Sequence, residues 1–251
     1  MEVREVIFYK TQPHQCGYFN NMKATNVVLD PGLPASASLY GRLLAAGFRR
    51  SGDYVYRPDC RHCGACVSLR LPVTEMRFNR SQRRTIKRNV DLQVTRVSMD
   101  YYAEHFELYR HYLAKRHPDG PMLAHSRTEY MGFLRSRAMN TGLLEFRLGQ
   151  RLLAVAVTDY LEDSLSAVYT FYDPEQSARS LGTYAILRQI EEARRLQKKW
   201  LYLGYWIHDS GKMRYKSTFM PAEAYVRGGW QRVESAQALL LRYNGNLTET
   251  P

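Results

Sequence analysis

Three cysteines stand at a spacing suited to soft-metal chemistry: Cys60-Arg61-His62-Cys63-Gly64-Ala65-Cys66, with Cys16 far upstream as a fourth thiol. Thiolates spaced in this way hold zinc or an iron–sulfur cluster, and four complete either site. Small cysteines that simply pack inside a core leave the same pattern. The charged start Met1-Glu2-Val3-Arg4-Glu5 lacks the apolar core of a signal peptide. A cytosolic, reducing location is therefore expected, where disulfides are not.

The second chemistry is anion binding. Arg77, Arg80, Arg83, Arg84, Lys87 and Arg88 crowd one short segment. Wound as a helix, it stacks Arg80, Arg84 and Arg88 in one column and Arg83 with Lys87 in the next. Like charges at that spacing repel unless an anion lies across them, and the arginine fork suits phosphate or carboxylate. A solvated surface face is the plainer reading. The chain as a whole carries 36 Lys and Arg against 24 Asp and Glu, a formal charge of +12, which favours a nucleic-acid partner. Its 19 Tyr add faces that stack on unpaired bases, although strand tyrosines usually pack. No apolar run is long enough to span a membrane.

These residues need a scaffold. Residues 1–35, rich in Pro, Asn and Gly, read as irregular. Ser36 to Ala46 reads as a helix stopped by Gly47, followed by strands through Tyr54-Val55-Tyr56 and Val67 to Leu71. Asp100 opens a helix bearing Tyr102, Phe106, Tyr109 and Leu113, and Ser126-Arg-Thr-Glu129 is a capping box for the next. Glu145 to Leu148 and Arg151 to Tyr160 form a hairpin about Gly149-Gln150, and Leu165 to Tyr172 alternates as a further strand. Leu181 to Lys198 is a long amphipathic helix, and strands follow at Trp200 to Tyr205 and Tyr225 to Trp230.

The expected architecture is α+β. A small N-terminal cysteine-bearing module over 1–75 precedes an α/β domain with a mixed sheet over 76–251. The element order is that of the N-acetyltransferase-like fold, which places an activated acyl donor between strands. Coenzyme A enzymes of that fold need bare backbone where the long helix begins, so that N–H groups reach the pyrophosphate. Here the segment is Arg179-Ser-Leu-Gly182-Thr-Tyr184, and the Tyr184 ring is expected to obstruct that approach and to stack on a base instead.

Several motifs occur in order: Tyr56-Arg57-Pro58-x-Cys60-x-x-Cys63-x-x-Cys66, Ser81-Gln82-Arg83-Arg84, Ser166-Ala-Val-Tyr169-Thr-Phe-Tyr172-Asp173-Pro174 and Leu181-Gly182-Thr-Tyr184. Tyr202-Leu-Gly204-Tyr205-Trp206-Ile207 and Lys212-Met213-x-Tyr215-Lys216-x-x-Phe219-x-Pro221 complete the set. Together the chain resembles the arginyl/leucyl-tRNA–protein transferase family, and its compact length resembles the bacterial aspartate/glutamate leucyltransferase branch. The resemblance implies a leucyl-tRNA donor, an acceptor protein beginning with Asp or Glu, and a product marked for degradation. It departs from the eukaryotic members at Cys16-Gly17-Tyr18-Phe19, where they carry Cys-Gly-Tyr-Cys.

That chemistry is attack of an amine on a ribose ester, which requires orientation, oxyanion stabilisation and movement of one proton but no cofactor. Asp159 and Asp173, at strand ends, are candidate bases; Tyr169 and Tyr172 are candidate donors to the oxyanion or holders of the amine. Arg83, Arg84, Lys87 and Arg88 are candidates for the acceptor's acidic side chain. Lys212 and Lys216, four apart and so on one helical face, are candidates for the tRNA acceptor end. Cys16, Cys60, Cys63 and Cys66 remain candidates for a structural zinc or iron–sulfur cluster. Two other readings stay open: an acyl-CoA N-acyltransferase and a non-catalytic zinc protein that binds RNA.

Overall fold

In a computed structural model the described residues are 6–33, 36–116 and 126–247. In chain order the elements are β1 (Phe8–Lys10), β2 (His14–Gln15), β3 (Lys23–Ala24), β4 (Asn26–Leu29), α1 (Ala37–Ala45), β5 (Arg49–Ser51), β6 (Tyr54–Pro58) and β7 (Val67–Pro72). Then follow α2 (Arg80–Arg88), β8 (Gln93–Ser98), α3 (Ala103–Arg116), α4 (Arg127–Leu134), β9 (Thr141–Leu148), β10 (Arg151–Tyr160) and β11 (Ser164–Tyr172). The chain ends with α5 (Leu181–Arg195), β12 (Trp200–Trp206), β13 (Ala222–Val226), β14 (Gly229–Val233) and α6 (Ala236–Leu247). Short 3-10 turns run over Pro174–Arg179 and Arg214–Thr218.

Two compact units divide the chain, one of Met1–Pro72 with Tyr202–Pro251 and the other of Val73–Leu201. In the first, β1-β4-β6-β5 form one small sheet and β14-β13-β7-β12 lie in that order in a second. The segment read as irregular carries β1 to β4, whose partners are set by backbone pairing rather than by alternation; 1–5 and 34–35 of it lie outside the described residues. The strand expected across Tyr225 to Trp230 is a hairpin instead. Arg227 and Gly228 have φ of 54° and 78°, the left-handed pair that a tight turn needs. It seats Glu223 opposite Arg70, an ion pair at 2.6 Å, and puts the Arg70 guanidinium 4.3 Å from the Trp230 ring.

In the second unit β11-β10-β9-β8 pair antiparallel. Side chains alternate across these strands, so one face presents Leu143, Val155, Val157 and Phe171, which pack with Tyr109 and Leu113 of α3 and Tyr130 and Leu134 of α4. The other face presents Leu144, Phe146, Ala154 and Ala156 to Leu181, Tyr184 and Ala185 of α5 and to Ile86 of α2. Helices on both faces bury the sheet, which explains why β9 and β10 read as nearly unbroken apolar runs. Full burial of one such aromatic contributes several kcal/mol, since truncating a core Phe costs about 3–5 kcal/mol. The capping box at Ser126 and Glu129 is formed, and Gly149 turns the β9–β10 hairpin with φ 56°.

Candidate functional site

The strands of the second unit fix the candidate chemical residues. Asp159 is fully buried in β10, opposite Thr141 of β9, whose Oγ1 donates to its Oδ1 at 2.7 Å. Between Val157 and Thr158 the β10–β11 register shifts, pairing Val157 with Tyr169 and Thr158 with Ala167. Val168 is therefore the extra residue of a bulge, which re-aims the next side chain and leaves backbone outside the ladder. That next side chain is Tyr169. Its ring packs edge-on against Tyr109, Tyr112 and Phe133, and its buried hydroxyl has no hydrogen-bond partner among the described residues. Burial, reinforced by neighbouring phenols, pushes its pKa far up, so it stays a neutral donor.

Tyr172 and Asp173 close the same strand. Both Asp173 oxygens are engaged: Oδ1 accepts from the Glu175 N–H at 3.0 Å and Oδ2 meets Arg151 at 2.7 Å. Asp173 thus caps the following turn. Tyr172 packs on Tyr112 at 4.9 Å, and its ring lies so close to Gly182 that a Cβ there would sit 3.3 Å from Cε1. The bare backbone at the start of α5 is therefore covered by Tyr172. Tyr184, expected to do this, turns inward: it is 3 % exposed, packs against Phe146 at 5.6 Å, and donates its hydroxyl to Asn89 O at 3.3 Å. The fourth position of an amphipathic helix faces its core, so this ring offers no open face to a base.

Asn79 and Gln82 form a reciprocal capping box that starts α2. The helix buries Gln82 and Thr85, leaving Arg77, Arg80, Arg83, Arg84, Lys87 and Arg88 exposed. Its far end is tied to the turn before α5: Arg88 donates to Ala178 O, Asn89 Nδ2 to Arg179 O at 2.8 Å, and Arg179 grips Asp91 through two bonds. Arg83 Nη1 reaches back to Phe78 O at 2.7 Å. The basic face is thus held rigid from both ends.

In the first unit the two lysines part company. Lys212 is exposed, while Lys216 is buried in the 3-10 turn and donates to Tyr205 O at 2.6 Å. The segment is not α-helical at Lys212, so a spacing of four does not bring them to one face. Burial, and then the nearby charge of Arg49, push the Lys216 pKa down to about 7. Arg49, which no sequence motif singles out, is also buried, and its guanidinium lies against Gly204, where a Cβ would come 3.0 Å from Cζ. Nothing in an isolated Phe-Arg-Arg-Ser stretch marks its first arginine as an interior one.

The cysteines lie in this unit. Cys60 and Cys63 face each other across a β-bridge, Cys60 Sγ reaches Thr25 O at 3.7 Å, and the Tyr18 N–H reaches Cys16 Sγ at 3.5 Å. All four thiols are free and partly buried. Burial raises Cys60 and Cys66, and the neighbouring thiols push the same way. Among the described residues no group of three or more His, Cys, Asp or Glu side chains is placed to hold a metal ion.

Comparison with known proteins gives concordant matches. The N-terminal family model of the arginine-tRNA-protein transferases matches residues 14–84 and the C-terminal one matches 104–226. The chain is 49% identical over 229 residues to an aspartate/glutamate leucyltransferase of Pseudomonas aeruginosa strain LESB58, covering 91% of this chain and 97% of that one. It is 48% identical over 229 residues to the protein so named in Pseudomonas syringae pv. syringae strain B728a, with the same coverage of 91% and 97%. Among solved structures, FemX superposes with a TM-score of 0.52 at 10% identity, over 93% of this chain and 90% of that one. At that identity the likeness speaks for the fold alone, and the fold is the N-acetyltransferase-like α+β one read from the element order.

Proposed function

The chain belongs to the arginine-tRNA-protein transferase family, and on that footing we propose that it transfers leucine from leucyl-tRNA to the N-terminal amine of proteins beginning with Asp or Glu. One observation carries the reading: 49% identity along 91% of the chain and 97% of a relative named for that activity. The donor ester is already activated. The acceptor amine, with a pKa near ~7.7–8.0, is partly neutral at cellular pH. What remains for the protein is to align the two and to steady the oxyanion, tasks of positioning and preorganised donors.

Tyr169 is the donor of choice, because its protonated hydroxyl is buried beside a bulge and has no hydrogen-bond partner among the described residues. Asp159 holds Thr141 and so fixes the strand ends around it; Asp173 acts by caging the turn that leads into α5. The exposed cations of α2 suit the phosphates of the tRNA. No helix among the described residues is long and apolar enough to cross a membrane, and a tRNA donor places the reaction in the cytosol. Leucine at the new N-terminus then marks the product for degradation.

Purified protein given leucyl-tRNA and a peptide beginning with Asp is expected to lengthen that peptide by one leucine, read by mass spectrometry. An unchanged peptide under conditions where the tRNA stays charged would overturn the reading.

A further inference from the structure

One polar pair interrupts the apolar face that α5 lays on the sheet of the second unit. Leu181, Ala185, Ile186, Ile190 and Ala193 of this helix are buried, and Gln189 is buried in the same row. Its Nε2 donates to Thr158 Oγ1 of β10 at 2.8 Å, and neither residue is exposed at all. The other polar atom of the amide, Gln189 Oε1, has no hydrogen-bond partner among the described residues.

A primary amide taken out of water destabilises the fold unless its polar atoms are paired. Only one end of Gln189 is engaged by Thr158, so leucine at 189 with valine at 158 would serve the stability of this interface at least as well. The place of the pair in the sheet gives it a different use. Thr158 borders the bulge: Val157 pairs with Tyr169, Thr158 pairs with Ala167, and Val168 stands between them as the extra residue. A one-residue change of pairing carries a side chain to the other face of a sheet. Were Val157 to pair with Val168, Tyr169 would become the extra residue and its ring would leave Tyr109, Tyr112 and Phe133. The bond from Gln189 acts from the opposite face, tying the β10 residue at the bulge to α5.

Resting on the leucyl-transfer reading with the Tyr169 hydroxyl as oxyanion donor, we propose that Gln189 is a positioning residue. Bonded to Thr158, it fixes the bulge at Val168 and so aims Tyr169 at the reacting carbonyl. Neither Gln189 nor Thr158 touches substrate; both act through the backbone of β10 and β11.

The experiment compares the wild-type protein with Gln189→Leu and Thr158→Val, which each remove one half of the bond at nearly constant volume. Single-turnover leucine transfer at saturating tRNA and peptide is expected to slow about 10-fold in each. Both KM values should stay within about twofold, and the urea midpoint should hold or rise. Thr158→Ser keeps the hydroxyl and should keep the rate. In a Tyr169→Phe background, Gln189→Leu should slow transfer less than about twofold further, because no hydroxyl is left to aim. Ile190→Val opens a small cavity in the same helix face; it should lower the midpoint and leave the rate alone. A wild-type rate in both Gln189→Leu and Thr158→Val would overturn the proposal. So would a full loss added to that of Tyr169→Phe, or a rate that merely follows the midpoint, as a structural role requires. Tyr169→Phe at the wild-type rate would sink the donor reading and this proposal with it, whereas a slow Tyr169→Phe beside a fast Gln189→Leu would sink the proposal alone. Amide hydrogen exchange reads the bulge without activity. Val168 and Tyr169 are expected to exchange about 10-fold faster in Gln189→Leu, with Leu144 and Phe146 of β9 unchanged; equal protection at Val168 and Tyr169 would refute the positioning.

Discussion

Removing the hydroxyl of Tyr169 separates chemistry from packing. Tyr169 sits in an aromatic cluster with Tyr109, Tyr112 and Phe133, and its hydroxyl is buried without a hydrogen-bond partner among the described residues. An unsatisfied buried hydroxyl is a cost to the fold, so Tyr169→Phe should be neutral or stabilising, by up to about 1 kcal/mol. If that hydroxyl meets the oxyanion, the same substitution should slow transfer about 100-fold, or about 2.7 kcal/mol of barrier. Tyr130→Phe is the matched control, since Tyr130 belongs to the same cluster and its hydroxyl likewise has no hydrogen-bond partner among the described residues; it should gain similar stability and keep its rate. Urea denaturation gives the first quantity, and single-turnover transfer at saturating tRNA and peptide gives the second. Tyr169→Phe at the wild-type rate would refute the oxyanion role.

On α2, replacing Arg83, Arg84 and Lys87 together by Ala should raise the KM for leucyl-tRNA and flatten its salt dependence by about 0.7–0.9 in logarithmic slope for each phosphate that the helix no longer neutralises; an unchanged slope would free the helix of that role. His105 is almost wholly buried, bonded to Glu145 at 2.6 Å, and burial outweighs the carboxylate to hold its pKa below the usual 6.5. The unfolded chain therefore takes up this proton first, so the stabilisation is present above that value and is lost as pH falls below it. His105→Gln should lessen the decline in denaturation midpoint between about pH 7.5 and 5.5, and an identical decline would contradict the assignment. Serine at Cys16, Cys60, Cys63 and Cys66, singly and in pairs, should destabilise additively if each thiol packs on its own; strong coupling among all four, with zinc or iron and sulfide found by elemental analysis, would show a single metal site instead.

How far the fold could be read in advance depended on whether local pattern or distant pairing decides each element. The helices α1, α2 and α4 carry their own side-chain caps, α5 a long amphipathic period, and each lies where its pattern put it. The strands β1 to β4 and β8 are short or exposed, with little alternation to announce them. The β13–β14 hairpin hid because its turn, Arg227-Gly228, is flanked by a second glycine and two aromatics that read as one strand. In the site, the exposure of the α2 cations followed from their spacing. Tyr184 and Lys216 did not follow, since whether a polar side chain at a helix start or turn points in or out is settled by partners elsewhere in the chain, Phe146 and Tyr205. Arg49 could not be found at all without Gly204 beside it.

The most direct test sets donors and acceptors against each other: labelled leucyl-tRNA and arginyl-tRNA, each offered to peptides that begin with Asp, Glu, Lys or Ala. Leucine is expected on the Asp and Glu peptides, with little on Lys or Ala and little arginine on any. Equal or better transfer of arginine, or leucine placed without regard to the first residue, would contradict the account.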